Sequence, residues 1–334
     1  MKIFLALFLT IHLFADDIKT LASSVLLIGF DGYTAPAFLK THKVAGVILF
    51  SKNIKSPKQL KTLTTELKSL QPDILIAVDE EGGKVERLKK KDGFPHFPSA
   101  KDVKNPKKTY TAMAKLLKKE GINLNLAPVV DVAVNPKNPV IAKLKRSFSK
   151  NPYEVIKKAS VFTNCMKKEG VLTTLKHFPG HGSSKKDSHK GFVDVTNSWS
   201  KKELLPFEKV KSPLIMTAHI FNKNLDPNYP ATLSYKTNTL LLRKKLGYKG
   251  VLISDDLQMG AISKNYSFKK ALELALNSGV DILLIGNYLD KPVKIDKITS
   301  TIEKLVQEGK VSRKRLLEAN SRIKTLLIKL PKNR

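Results

Sequence analysis

The feature that most constrains the fold of this chain is a series of eight short apolar runs separated by helix-like stretches. The runs are 24–30, 45–50, 73–83, 122–132, 171–180, 212–220, 250–256 and 281–287. Each is rich in valine, isoleucine and leucine without strict apolar–polar alternation, which is typical of parallel strands buried on both faces. Eight such strands with helices between them predict an α/β fold, a single-domain (β/α)8 TIM barrel.

The stretches between the runs carry the signals of helix ends. The stretch 56–71 begins with serine and proline, and 151–170 begins with asparagine and proline, both common helix starts. The stretches 151–170 and 267–279 each end on glycine, a common helix stop. A last helix, 312–330, is expected to pack outside the barrel. A doubly wound parallel sheet is the alternative fold, but no G-x-G-x-x-G motif follows the first run.

The N-terminus predicts a secretory signal peptide over residues 1–15. Lys2 precedes an apolar run over 3–14, and Ala15 supplies a small residue at the candidate cleavage point. The run is too short to cross a bilayer, which needs about 20 apolar residues. Residues 16–334 would then be the mature barrel domain, in the periplasm or outside the cell, with a cytoplasmic location as the alternative.

The charge of the chain is strongly positive, with 60 Lys+Arg against 29 Asp+Glu and a formal net charge of +31. The lysines are scattered, so one interpretation is a solvated surface, and the other is attraction to a polyanion. The sequence has no recognisable nucleic-acid motif and little arginine. We therefore expect no nucleic-acid partner, a monomer, and peripheral association with anionic envelope surfaces.

Polar residues follow the predicted strands, at the end of a barrel where active sites form. They are Asp79, Glu80, Glu81, Arg87, Asp131, Arg146, Lys176, His177, Asp187, His189, His219, Ser254, Asp255 and Asp256. Some have structural alternatives: Asp256 fits a helix N-cap, and Asp131 fits a ligand of loop backbone. A buried lysine such as Lys176 needs a carboxylate or a ligand beside it.

The stretch 175–189 holds three of the seven histidines and invites a metal interpretation. However, its H-x3-H spacing crosses the turn "HFPGH" rather than a helix face, and lysines surround it, so we expect no metal. His181, between two glycines, is expected to pin the turn. Asp187 and His189 are two residues apart, and in an extended loop their side chains point the same way. The carboxylate can fix the imidazole tautomer for proton transfer, and Asp255 across the barrel could act as a nucleophile.

Four segments, "KHFPGHGSSKKDSH", "DEEGGKVERL", "KRSF" and "ISDDLQMGAI", together resemble glycoside hydrolase family 3. The match is to its single-domain bacterial β-N-acetylglucosaminidases, which trim cell-wall fragments, and it runs in order from about residue 25 to 300. The resemblance implies a retaining hydrolysis without metal or cofactor. Asp255 would be the nucleophile, His189 the acid/base and Asp187 the carboxylate that polarises it. The residues implied to bind sugar are Asp79, Arg87, Arg146, Lys176 and His177.

Two departures from the family pattern stand out. Lys84 replaces the usual arginine, and the loop 183–186 reads "SSKK", which is unusually basic. The expected function is removal of terminal N-acetylglucosamine (GlcNAc) from peptidoglycan-derived muropeptides of the GlcNAc-anhydro-N-acetylmuramic acid (anhydroMurNAc) type. The alternatives are a phosphorylase of the same family, a metal-dependent hydrolase, and a non-catalytic wall-binding protein.

Overall fold

A computed structural model describes residues 17–288 and 292–330, so the predicted signal peptide over 1–15 lies outside the described residues. The strands are β1 Leu26–Gly29, β2 Gly46–Ile48, β3 Leu75–Val78, β4 Leu124–Asn125, β5 Leu172–Phe178, β6 Leu214–Thr217, β7 Val251–Ile253 and β8 Leu283–Ile285. The α-helices are α1 Ile18–Ser23, α2 Pro57–Leu70, α3 Pro106–Lys119, α4 Pro152–Lys168, α5 Leu205–Lys209, α6 Gly260–Ser263, α7 Phe268–Ser278, α8 Ile295–Gln307 and α9 Arg313–Leu327. Every strand lies inside a predicted run.

The eight strands form one parallel sheet that curves back on itself. Neighbours follow chain order from β1 to β7, and β8 pairs with β1. The ring closes between β7 and β8, where Ile253 bridges Ile282 and the amide of Ser254 donates to the carbonyl of Ile282 at 3.0 Å. The predicted (β/α)8 barrel is therefore confirmed, and the doubly wound alternative is wrong.

The helix starts follow the sequence signals. Ser56 accepts a hydrogen bond from the Gln59 amide and caps α2, while Asn151 caps α4. Gly279 ends α7 with φ of 106°, in the left-handed region that glycine adopts freely. The short polar and glycine signals thus fix where the outer helices turn back towards the strands.

Two connections depart from the regular strand–helix alternation. β1 and β2 are joined by a single 3-10 turn, Ala37–Lys40, because the segment between them is short and contains Pro36. β6 and β7 are joined by a π-helix, Lys236–Lys245, rather than by an α-helix. The sequence analysis also did not single out α3 and α8, both of which pack on the barrel through buried apolar residues.

The core lies inside the barrel and between the strands and the outer helices. Tyr110 of α3 meets Phe162 of α4 edge to face, with ring centroids 4.7 Å apart. Cys165, a free cysteine, is buried in α4 and packs in the core. In the described part of the chain, no helix combines the length and the apolar character that a membrane crossing requires.

Asp281 anchors three arginines at the end of the barrel where β8 begins. Its carboxylate is fully buried and lies 2.6 Å from Arg243 Nη2, 2.8 Å from Arg315 Nη2 and 3.0 Å from Arg322 Nε. It also accepts the amide of Leu252 at 3.0 Å. This one carboxylate therefore ties the π-helix and the last helix, α9, to strand β7.

We expect Asp281→Asn to lower the free energy of unfolding by about 3–5 kcal/mol, because it leaves three guanidinium groups around a neutral amide. Urea unfolding followed by circular dichroism measures the change. Asp102→Asn is the matched control, since Asp102 and its partner Lys145 are both exposed and such pairs contribute about 1 kcal/mol or less. A loss at Asp281 no larger than the control would contradict the anchoring role.

Candidate active site

A cavity of about 390 Å³ opens at the carboxyl ends of the strands. All eight side chains predicted for the site line it: Asp79, Arg87, Arg146, Lys176, His177, Asp187, His189 and Asp255. A larger cavity, of about 750 Å³, lies at the opposite end of the barrel, and none of the predicted residues line it. The chemistry-bearing residues therefore converge on the smaller cavity.

Lys176 sits at the centre of an ion-pair network on one wall. It is 2% exposed, and its Nζ lies 2.7 Å from Asp79 Oδ1 and 2.7 Å from Glu81 Oε1. Arg87 binds the other oxygen of Asp79 at 3.1 Å, and Arg146 binds Glu81 with two nitrogens, each at 2.8 Å. The predicted need of Lys176 for a carboxylate partner is met twice.

The pKa values of this wall follow from the pairing. Burial opposes ionisation of Asp79, but Lys176 and Arg87 outweigh it and hold the pKa well below its usual range. Burial likewise opposes ionisation of Glu81, yet Arg146 and Lys176 lower its pKa to about 2. The wall is therefore charged, fixed in position, and able to hydrogen-bond a polyhydroxylated ligand.

Asp131 organises the segment that follows β5. Its Oδ2 lies 2.6 Å from His177 Nδ1, while its Oδ1 accepts the amides of His177 at 3.1 Å and His181 at 2.7 Å. Burial opposes ionisation of Asp131, and the pair with His177 overcomes it and lowers the pKa. Because Nδ1 of His177 faces Asp131, its Nε2 is left for the cavity.

Asp187 and His189 form the predicted pair on the loop beyond β5. Asp187 Oδ1 lies 2.9 Å from His189 Nδ1 and also accepts the His189 amide at 2.9 Å. The hydrogen bonds from His189 outweigh burial and lower the pKa of Asp187, so the carboxylate is charged beside the ring. His189 is 52% exposed, and its Nε2 is available to a ligand.

Asp255 follows β7 and lines the cavity as a half-buried carboxylate. Burial opposes its ionisation, but His219, His177 and His189 surround it and lower its pKa. Its Oδ1 accepts the amide of Asp256 at 2.9 Å. A charged carboxylate facing a group of imidazoles is suited to nucleophilic attack on an electrophilic carbon.

Two other residues from the list of strand ends have structural partners. Asp256 accepts the amides of Gln258 and Gly286, which ties the loop after β7 to the loop after β8 instead of capping a helix. His219 bonds Thr232 Oγ1 at 2.8 Å and the Asp256 carbonyl at 2.8 Å, behind the cavity wall. Burial raises the pKa of Asp256 to about 6 and lowers that of His219.

Sequence reasoning missed two parts of the site. Glu81 was given no role in the sequence analysis, although its place two residues after Asp79 in "DEEGG" was the available signal. Phe50 and Tyr288 also line the cavity as stacked rings, with centroids 4.7 Å apart. A search for polar residues at strand ends passes over such aromatic walls.

The three histidines of the stretch 175–189 have separate partners and do not converge on one point. Across residues 17–288 and 292–330, the structure has no group of three or more histidine, cysteine or acidic side chains placed to hold a metal ion.

Glu80 lies beside the same wall, and its burial predicts that the stability of the fold depends on pH. It is fully buried, and its Oε2 accepts the amides of Arg87 at 2.9 Å and Leu88 at 3.1 Å. Burial raises its pKa from the usual 4.5 to about 8. The stability contributed by the uncharged acid is therefore complete below pH 4.5 and is lost as the pH rises towards about 8.

Glu80→Gln should remove this pH dependence because the amide stays neutral. Relative to the wild type, the variant should gain about 3 kcal/mol in the free energy of unfolding as the pH increases from about 5 to 8.5. Denaturant unfolding of both proteins at the two pH values measures the difference. If the difference in the free energy of unfolding between variant and wild type were the same at both pH values, Glu80 would have to be charged in the folded protein.

With this geometry established, comparison with known proteins assigns the family. Residues 25–326 match the model of the glycosyl hydrolase family 3 N-terminal domain, and the chain belongs to this family. It is 35% identical over 331 residues to Beta-hexosaminidase A of Pseudoalteromonas piscicida, covering 88% of this chain and 55% of that relative. It is 36% identical over 275 residues to a beta-hexosaminidase of Shewanella frigidimarina, covering 76% of this chain and 78% of that relative.

Among solved structures, a glycoside hydrolase family 3 β-N-acetylglucosaminidase from Paenibacillus sp. superposes with a TM-score of 0.86 at 30% identity. The superposition covers 94% of this chain and 63% of that one. The chain thus spans 55% of the Pseudoalteromonas relative and under two thirds of the Paenibacillus chain. The predicted family, glycoside hydrolase family 3, is confirmed.

Proposed function

We propose that this chain is a retaining exo-β-N-acetylglucosaminidase. The observation that carries the proposal is the presence in one cavity of a charged carboxylate, Asp255, and an imidazole, His189, that Asp187 holds through Nδ1. A retaining glycosidase needs a nucleophile and an acid/base on either side of the scissile bond. The names of the similar proteins, β-hexosaminidase and β-N-acetylglucosaminidase, support an N-acetylated hexose as the sugar removed.

The proposed reaction has two balanced steps. In the first, Asp255 attacks the anomeric carbon while the bond between that carbon and the leaving oxygen breaks. The proton on Nε2 of the doubly protonated His189 moves to the leaving oxygen. This releases the aglycone as an alcohol and forms a glycosyl ester on Asp255. In the second, neutral His189 takes a proton from water, the resulting hydroxide attacks the anomeric carbon, and the carboxylate of Asp255 is restored.

The sugar-binding roles are proposals of the same kind. Asp79 and Lys176 would hold hydroxyl groups of the terminal sugar, with Arg87 and Arg146 keeping the charged wall in place. His177 would present Nε2 to the sugar because Asp131 occupies its Nδ1. The volume of about 390 Å³ suits one pyranose ring with its substituents, which supports cleavage from the chain end.

The direct test compares an aryl β-GlcNAc with the matching aryl β-glucoside. We expect the first to be hydrolysed with net retention, as shown by NMR of the first-formed sugar, and the second to react far more slowly. Equal rates would contradict the acetamido requirement, and no release from either would contradict the proposed function. Activity that disappears with EDTA and returns with a metal ion would favour the metal-dependent hydrolase instead.

We propose peptidoglycan fragments of the GlcNAc-anhydroMurNAc type as the natural substrates. Their stem-peptide carboxylates are anionic, and the net charge of +31 supports attraction to them. Mass spectrometry of purified muropeptides should show loss of one terminal GlcNAc. Turnover of neutral chito-oligosaccharides in strong preference to muropeptides would count against this substrate.

A phosphorylase is the second candidate, favoured by the identity of the acid/base. An imidazole at position 189 adds no negative charge, so it tolerates an incoming phosphate better than a carboxylate would. The distinguishing measurement is the product in phosphate buffer. We expect free GlcNAc, and GlcNAc-1-phosphate as the main product would establish the phosphorylase.

We also propose export to the periplasm or the medium, with peripheral attachment to anionic surfaces and a monomeric state. The apolar N-terminal run and the positive charge support these proposals. Cell fractionation with an N-terminal sequence of the mature protein tests export, and light scattering tests the monomer. Recovery in the cytoplasm with Met1 retained would favour the alternative location.

A further inference from the structure

His181 is a buried imidazole that the proposed chemistry does not use. It is 2% exposed and does not line the cavity. Its Nδ1 lies 2.9 Å from Ser184 Oγ, and its Nε2 lies 3.2 Å from Ser188 Oγ. Ser188 stands between Asp187 and His189 in the sequence. His181 therefore hydrogen-bonds the residue that joins the two members of the proposed acid–base pair.

All the hydrogen bonds around His181 are satisfied together when its Nδ1 carries the proton. Ser184 Oγ accepts from Asn138 Nδ2 at 3.0 Å and donates to the Lys186 carbonyl at 3.3 Å. Its remaining lone pair can only accept, so Nδ1 of His181 donates to it. Nε2 is then the acceptor for the hydroxyl of Ser188. Burial and His177 lower the pKa of His181 to about 4, which keeps this neutral form at physiological pH.

The backbone of His181 is held against the barrel. Its amide donates to Asp131 Oδ1 at 2.7 Å, and the same carboxylate holds His177 at the cavity. Next to it, Gly182 packs so closely on Val132 that an added Cβ would lie 1.7 Å from the Val132 carbonyl oxygen. The imidazole of His181 therefore projects from an immobile point towards the tip of the loop.

The tip of the loop has few other side-chain anchors. The ring of His189 is half exposed, so packing alone does not set its position. The carbonyls of Ser188 and His189 accept the amides of Ala261 and Gly260, both at 3.1 Å. These bonds hold the backbone, while the contact between Ser188 and His181 adds a buried side-chain attachment.

We propose that His181 is a positioning residue: by holding Ser188 it sets the Asp187–His189 pair over the scissile bond. The inference rests on the proposed glycosidase function, and it makes His181 act through Ser188 rather than on the substrate. Loss of the contact should therefore impair protonation of the leaving group and leave attack by Asp255 unaffected.

Ser188→Ala tests this with two substrates that differ in their need for an acid. For an alkyl or sugar β-GlcNAc, whose leaving group must be protonated, we expect kcat/KM to fall about 3- to 10-fold, as for one lost hydrogen bond. A dinitrophenyl β-GlcNAc has a leaving group, dinitrophenolate, that departs without protonation. For this substrate kcat/KM of the variant should stay within about twofold of the wild-type value. The ratio of the two losses does not depend on the fraction of folded enzyme.

A double-mutant cycle tests the route. If His181 acts through Ser188, then His181→Gln with Ser188→Ala should be no slower on the alkyl substrate than the slower single variant. Ser263→Ala is the matched control, because it removes an exposed hydroxyl from α6 beside the loop and should change neither rate. If His181→Gln does not fold, the substrate ratio for Ser188→Ala still decides.

Three results would overturn the inference. Equal losses of kcat/KM on the two substrates would show that Ser188 has a general structural role. No loss on either substrate would show that the contact between His181 and Ser188 does not affect the reaction. Losses that multiply in the double variant would show that His181 acts by another route. A wild-type protein that releases sugar from neither substrate would instead refute the proposed function, and the inference with it.

Discussion

Asp255→Ala is expected to lower kcat by at least about 10⁴-fold, because it removes the group proposed to form the glycosyl ester. The structure gives this carboxylate a cavity position and three nearby imidazoles that favour its charged form. Stopped assays with the aryl β-GlcNAc at high enzyme concentration measure the residual rate. Circular dichroism confirms that the variant is folded.

Azide distinguishes a nucleophile from a residue that is merely important. In Asp255→Ala, azide can enter the vacated space and attack the anomeric carbon directly, so the product would be the α-glycosyl azide. The wild type, by the proposed mechanism of two inversions, would give the β-anomer. A rate within tenfold of wild type, or a β-azide product from the variant, would remove Asp255 from the nucleophile role.

His189→Ala is expected to have the second largest effect, a loss of about 10² to 10⁴ in kcat/KM for substrates with poor leaving groups. The reason is that His189 is the half-exposed imidazole of the cavity, whereas His177, whose Nδ1 is held by Asp131 in the same way, is buried and is proposed to bind the sugar. For a dinitrophenyl glycoside the first step needs no acid, so the glycosyl ester should accumulate. Intact-protein mass spectrometry then shows the added sugar.

The azide product again separates the roles. In His189→Ala, azide should accelerate breakdown of the ester on Asp255 and give the β-glycosyl azide, opposite in anomeric form to the product of the Asp255 variant. Lys201→Ala, which removes an exposed lysine away from the cavity, is the control and should keep the wild-type rate. Equal losses for activated and unactivated substrates would contradict an acid/base role for His189.

The sequence predicted the barrel because its period is visible in the chain: each buried strand appears as a short apolar run. It also predicted the convergence of Asp79, Lys176, His189 and Asp255, since the carboxyl ends of parallel strands meet at one rim. The assignment of roles came from the family resemblance, and those roles stay predictions until the variants are measured.

The features that the sequence did not predict are contacts between side chains that are far apart in the chain. Lys176 pairs with both Asp79 and Glu81, and nothing in the spacing says that Arg146 takes the second carboxylate as well. The stack of Phe50 on Tyr288 joins the ends of β2 and β8, which are far apart in the sequence and lie on either side of β1 in the sheet. The short connection between β1 and β2 was missed because eight regular units were assumed.

The attachment of the His189 loop to the start of α6 has a consequence for protein engineering. The His189 carbonyl receives the Gly260 amide, and a Cβ at position 260 would lie 2.7 Å from that oxygen. The loop that carries His189 and the segment that follows Asp255 thus form a matched pair of surfaces. A chimera that imports the loop 179–191 from a relative should also import 256–261, because either piece alone would meet an unfitted counterpart.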